Sequence, residues 1–199
     1  MTTPLTPHDS THESLLLRLV KDPNQNAWDE FHGRYGDLIA GFCRAANRYR
    51  LDVEELIQEV YQSLLKSLPK FQYDKSKGKF RAYLSRVTRN KAMELSRKRT
   101  RQPKSLEGAG PGEVKDEKDL DDIWDLQWKQ YLSRQGFEQL KREFPPDRID
   151  LFTRYAVEKC KVEDVAREFG CSVAMVYKTK SILAKRLKEI ILRLMEEEG

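Results

Sequence analysis

No stretch of this chain is apolar for long enough to cross a bilayer, and its first residues, MTTPLTPHDSTHE, do not read as a secretion signal. That excludes integral-membrane functions and predicts a soluble, cytoplasmic protein. Cysteine is equally scarce. Cys43, Cys160 and Cys171 are odd in number, widely spaced and without a CxxC pair, which excludes a disulfide framework and a thiolate zinc site and fits a reducing compartment. His8 and His12 stand four apart with no third ligand near, so no metal is expected. Glycine and proline are sparse, and no alternating apolar run is bounded by turn signals, so the fold class expected is all-α. The most informative lack is of acid: from Lys75 to Lys104 the sole carboxylate is Glu94.

What fills that stretch is FQYDKSKGKFRAYLSRVTRNKAMELSRKRTR, residues 71–101. Its first part reads as a loop, with Asp74, Ser76 and Gly78 as turn formers between Lys75, Lys77 and Lys79. From Phe80 the pattern is helical, with Phe80, Leu84, Val87 and Leu95 on one stripe. The remaining faces carry Arg81, Arg86, Arg89, Asn90, Lys91, Arg97, Lys98 and Arg99. Solvated helices usually mix signs because opposite charges support each other at i,i+4, and a face of one sign is best explained by a polyanionic partner. The basic groups suit phosphates. Phe71 and Tyr73, on the loop, suit stacking on unpaired bases.

Around this stretch the chain reads as helices. Residues 1–13 are polar and expected to be disordered. A short helix from Ser14 ends at Asp22-Pro23-Asn24, and a long aromatic-rich helix follows, with a kink expected between Arg34 and Asp37 because Gly33, Gly36 and Gly41 weaken it. Asp52 caps the next helix. Val53, Leu56, Ile57, Val60, Leu64 and Leu65 are its inward face, and Glu54, Glu55, Gln58, Glu59 and Gln62 its outward one. That acidic face is either a solvated surface or a dock for a basic protein. Residues 102–122, rich in glycine, proline and acid, are expected to be a flexible linker between two helical domains, 14–101 and 123–195.

The last part, VEDVAREFGCSVAMVYKTKSILAKRLKEI, reads as a helix-turn-helix. Val162, Val165 and Ala166 face inward, Gly170 makes the turn, and Ser172 caps the second helix. Val173, Val176, Leu183, Leu187 and Ile190 hold that helix to the core. Ala174, Met175, Tyr177, Lys178 and Ser181 then lie outward near its N-terminal end, the end that enters the major groove in this motif. Lys178 suits a base or a phosphate, Tyr177 and Ser181 a phosphate, and Met175 a thymine methyl, while Lys185 adds backbone attraction.

Two DNA-directed helical modules flanking an acidic linker resemble the bacterial RNA polymerase sigma factors, specifically the small extracytoplasmic-function group. DVEELIQEVYQSLLKSL resembles the family's core-polymerase-binding helix, FRAYLSRVTRNKAMELSRKR its start-proximal promoter-reading helix, and the C-terminal motif the domain that reads the upstream element. The resemblance implies a region 2-like domain over 14–101 and a region 4-like domain over 123–195. It implies that Glu55, Gln58, Glu59 and Gln62 face the clamp helices of the largest polymerase subunit, and that residues 71–79 trap a flipped base of the melted non-template strand beside Asn90. Arg86, Arg89, Arg97 and Lys98 would hold the same element, and Ser172 to Lys185 the upstream duplex. Polymerisation chemistry belongs to the core enzyme, so no catalytic residue or cofactor is expected, and an anti-sigma factor is a possible partner of a monomeric chain.

Several residues depart from the family pattern. Tyr83 stands where the family usually has Trp, Glu55 where it has Asp, and Tyr177 and Thr179 where Lys and Arg are frequent. The rival reading is a helix-turn-helix repressor or activator that binds duplex operators without polymerase. A nuclease or recombinase ranks last, because the acids lie on the preceding helix or in the linker rather than beside the basic helix.

Overall fold

A computed structural model describes residues 12–68, 71, 80–101 and 117–198, of which 12, 13, 100, 101 and 117 are described by backbone alone. Among the described residues every regular element is helical, so the fold is all-α: α1 (His12–Lys21), α2 (Gln25–Ala46), a 3-10 turn (Asn47–Tyr49), α3 (Val53–Ser67), α4 (Phe80–Arg101), α5 (Glu117–Glu143), α6 (Pro146–Phe152), a π-helical turn (Thr153–Val157), α7 (Val162–Glu168) and α8 (Val173–Glu198). They fall into two compact units, one of the described residues up to Lys129 with Glu198, the other Gln130–Glu197. None of these helices is long and apolar enough to cross a membrane.

In the first unit the helix starts follow local chemistry. Asn24 and Asp52 cap α2 and α3 by accepting from the amides of Ala27 (3.0 Å) and Glu55 (2.9 Å), satisfying donors that the first turn leaves open. The core is built from Leu15, Leu16 and Leu19 of α1, Phe31, Tyr35, Ile39 and Phe42 of α2, Leu56, Val60 and Leu64 of α3, and Phe80, Leu84, Ala92 and Leu95 of α4. The helix is not interrupted at its glycines: Gln25–Ala46 is one continuous element. Packing of its buried face outweighs the propensity cost of its glycines, as is usual for amphipathic helices. Leu65, expected inward, is exposed. The buried line of α3 is Leu56, Val60 and Leu64 at four-residue spacing, and Leu65 lies a further 100° round the helix.

The segment expected to be linker as far as Asp122 is helical from Glu117, and of the stretch 1–13 expected to be disordered, His12 and Glu13 open α1; residues 1–11 and 102–116 lie outside the described residues. Acids in a first helical turn complement the positive end of the helix, and Leu120, Ile123, Trp124 and Trp128 of α5 are buried, Trp124 edge-on to Phe42 at 5.9 Å. Within the expected linker itself Leu120 is buried, so its last turn is packed rather than a solvated tether.

The second unit centres on Leu151, Val165, Ala166 and Val176, with Tyr155, Cys160, Val162, Phe169 and Cys171 packed against them. Gly136 of α5 sits where an added Cβ would come within 2.8 Å of Ile191 Cγ1 of α8, so the two helices approach over a missing side chain. Gly170, at φ +60°, turns the chain between α7 and α8 in a conformation that penalises any Cβ. After Phe152 the chain continues as the π-turn to Val157, and Lys159 beyond it has φ +61°. Val173, expected inward, is exposed. It lies at the first position of α8, beyond the edge of the core, and Thr179 takes the inward place between Val176 and Leu183.

Candidate functional site

In the first unit the site is built on α3 and α4. An aromatic cluster fixes where α4 begins. Phe80 meets Phe31 (6.2 Å between ring centroids), Tyr35 (5.4 Å) and Tyr83 (5.7 Å), and Phe71 lies on Tyr83 at 4.4 Å and on Phe80 at 5.9 Å. The Tyr83 hydroxyl is hydrogen-bonded to Ser67 Oγ at 2.5 Å, and burial pushes its pKa up. Phe71 is therefore half-buried in the chain's own cluster rather than a free stacking platform. Tyr73, Lys75, Lys77 and Lys79 lie outside the described residues.

Along α4 the cations separate into two sets. The first set is engaged internally. Arg81 pairs with Asp125 and covers the Trp128 ring at 5.4 Å, and Arg89 pairs with Asp121. Both arginines keep a buried Nε without a partner, which marks how far each is drawn into the protein. Lys91 reaches Glu94 at 2.8 Å and Glu59 at 3.3 Å, and these hydrogen bonds, Glu94 first, raise its pKa. Glu55 receives Lys98 at 3.7 Å and Arg99 at 3.8 Å, and Arg99 also donates to the Arg50 carbonyl. The acids missing from the α4 sequence are thus supplied by α3 and α5.

The second set is Arg86 and Arg97, exposed and in line with the neutral amide of Asn90 between them at spacings of four and seven, with no acid paired to either among the described residues. Lys98 belongs partly to both sets, being exposed yet within reach of Glu55. Arg89, expected among the free groups, is not one of them.

The four residues expected to dock polymerase also divide. Gln58 and Gln62 are exposed, whereas Glu55 and Glu59 lean toward α4 and are half-exposed ion-pair partners. The fully outward line of α3 is Glu54, Gln58, Gln62 and Leu65. Leu65 was missed because it looks like core by residue type; the four-four-three spacing from Glu54 was the available signal.

In the second unit, Ser172 Oγ accepts from the Met175 amide at 3.2 Å and starts α8. Ala174, Met175, Tyr177, Lys178, Ser181 and Lys185 are all exposed, and Ala174, Lys178, Ser181 and Lys185 form one line at spacings of four, three and four. Thr179 is buried and cannot face a ligand. Tyr177 is held edge-on by Tyr155, with ring centroids 5.7 Å apart. Among the described residues no group of His, Cys, Asp or Glu is arranged to hold a metal, and burial pushes the Cys43 thiol up to about 12, leaving it unreactive. The exposed lines of α4 and α8 offer cations and hydrogen-bond donors to an anion.

Residues 31–102 match the family model for sigma-70 region 2. That span contains the whole of α3 and α4, and it supports a role as an RNA polymerase sigma factor, with core polymerase and promoter DNA as the partners such a factor has. No curated protein matches the chain.

Proposed function

We propose that the chain is an alternative sigma factor of the extracytoplasmic-function group, a cytoplasmic protein that binds core polymerase through α3 and selects promoters through α4 and α8. The observation that carries this is the sigma-70 region 2 match over the two helices whose exposed lines differ in chemistry. On α3 the line is neutral-to-acidic with one leucine, suited to a protein surface. On α4 it is Arg86, Asn90 and Arg97, suited to a nucleic-acid strand. Contacts to unpaired bases, together with those cations, offset part of the cost of opening the duplex. In this reading α7 and α8 form a helix-turn-helix of the region 4 type, with Ala174, Lys178, Ser181 and Lys185 toward the upstream element. The chain carries no chemistry of its own, and an anti-sigma partner would have the α3 line to cover.

The test is transcription in vitro by bacterial core polymerase over fragmented genomic DNA, with the new RNA starts sequenced. Discrete starts that depend on the chain are expected. They should vanish with Gln58→Lys plus Gln62→Lys, two exposed positions whose change leaves the Glu55 and Glu59 ion pairs in place. An absence of starts, with tight binding of duplex operators by the chain alone, would establish a helix-turn-helix regulator instead.

A further inference from the structure

Tyr177 does not lie on the line of Ala174, Lys178, Ser181 and Lys185 but beside it, one residue or about 100° round α8 from Lys178. An exposed tyrosine on a helix ordinarily samples several rotamers. Here its ring meets that of Tyr155 edge-on, the ring planes inclined at 80°. Tyr155 is itself fixed, because its ring packs on the core formed by Leu151, Val165, Ala166 and Val176. Its backbone belongs to the π-helical turn, closed by the bond from the Glu158 amide to the Thr153 carbonyl at 2.9 Å. Arg154 fastens that turn to α7 through Glu168 at 3.2 Å and within itself through Glu158 at 2.6 Å. Single π-turns are uncommon and concentrate at functional positions. Tyr155, at the middle of this one, stands opposite Tyr177.

The electrostatics separate two roles for Tyr177. Tyr155 first, and then burial and Glu163 of α7, hold the Tyr177 hydroxyl in its protonated form. A carboxylate nearby is a poor neighbour for a phosphate, whereas a fixed, half-exposed ring suits an apolar or hydrogen-bonded base edge. We propose that Tyr177 is a specificity-determining residue for one base pair of the upstream element, and that Tyr155, outside α7 and α8, is its positioning residue. This rests on reading α8 as the DNA-facing helix and replaces the phosphate contact expected for Tyr177 from the sequence.

The experiment uses the full chain with core polymerase and a promoter pool randomised over the upstream element, sequencing the templates that yield transcripts. Tyr177→Ala should flatten the preference at one base pair by roughly 2- to 10-fold, the range of a single aromatic contact. Tyr155→Ala should flatten the same base pair and no other, Tyr155→Phe should retain the preference, and the double variant should do no more than Tyr177→Ala. If Tyr155→Ala proves unstable, Tyr155→Leu removes the edge-on ring while filling the core side, and the same pattern is required of it. A Tyr155 variant that stays folded and leaves every preference intact, or weakens all positions equally, overturns the positioning role while the sigma-factor reading stands. Wild-type chain that yields no transcripts overturns that reading and this assignment with it.

Discussion

The two basic helices dispose of their cations in opposite ways. On α4, Arg81, Arg89, Lys91 and Arg99 are held by acids of α3, α5 and α4 itself, Lys98 is partly held by Glu55, and Arg86 and Arg97 are left open in line with the neutral Asn90. On α8, Lys178, Lys180, Lys185 and Lys188 are exposed and have no acid partner among the described residues, while Arg186 and Arg193, about 100° round from the line, pair with Glu143, Glu189 and Glu197. A run without acids therefore has two physical meanings. It can be a surface awaiting a polyanion, or half of a charge balance whose other half lies elsewhere in the chain. On α4 it is both, divided residue by residue.

The division is open to attack most directly at Thr179, which stands where Lys or Arg is frequent in the family the chain resembles and which the structure buries. Thr179→Lys should destabilise the second unit by about 2–4 kcal/mol, because an ammonium would displace core volume and lose its hydration. Thr179→Val should be close to neutral. Thermal unfolding of both variants checks this; a Lys variant as stable as the parent and tighter on promoter DNA would put Thr179 on the DNA side and dissolve the sorting of α8.

A smaller effect should separate the open from the engaged cations of α4. In binding of the chain–polymerase complex to a pre-melted promoter, Arg86→Ala and Arg97→Ala should each lower the slope of log affinity against log salt by about one, or slightly less for single strands. Arg89→Ala should leave the slope alone and cost no more than about 1 kcal/mol of stability, the upper range for a partly exposed pair. Asp121→Asn should do the reverse, freeing Arg89 and steepening the slope. Equal slopes for Arg86→Ala and Arg89→Ala would erase the distinction.

Much of this was legible in the sequence because it depends on period and local chemistry. The all-α class, the Asn24 and Asp52 helix starts, the Gly170 turn and the outward line from Ala174 to Lys185 are set by neighbours in the chain. What was not legible depends on partners distant in sequence. Arg89 looked free because Asp121 is 32 residues on, in a segment whose composition suggests a tether. Phe71 looked available because Phe80 and Tyr83 reach it only once α4 has formed. Leu65 looked inward by residue type, and only the position of α3 against its neighbours turns it out to solvent.

The finest distinction concerns the one arginine of α8 that is tied down most tightly. Arg186 donates through Nε and Nη2 to the two carboxylate oxygens of Glu143, at 2.5 and 2.9 Å, and this bidentate contact is the main reason the Glu143 carboxyl lies below its ordinary value. The folded state therefore binds this proton less readily than the unfolded one. The pair contributes stability at pH values above the unfolded glutamate value of about 4.3, and that contribution is lost as pH falls through the lower, folded value. Glu143 is largely exposed, so the contribution stays under about 1 kcal/mol. Glu143→Gln should lower the melting temperature by a constant small amount between pH 7 and pH 5, and the gap from wild type should close on further acidification. If the gap persisted unchanged into strong acid, the loss would come from side-chain packing rather than charge. Arg186 would then have to be counted with the open cations of α8 instead of the engaged ones.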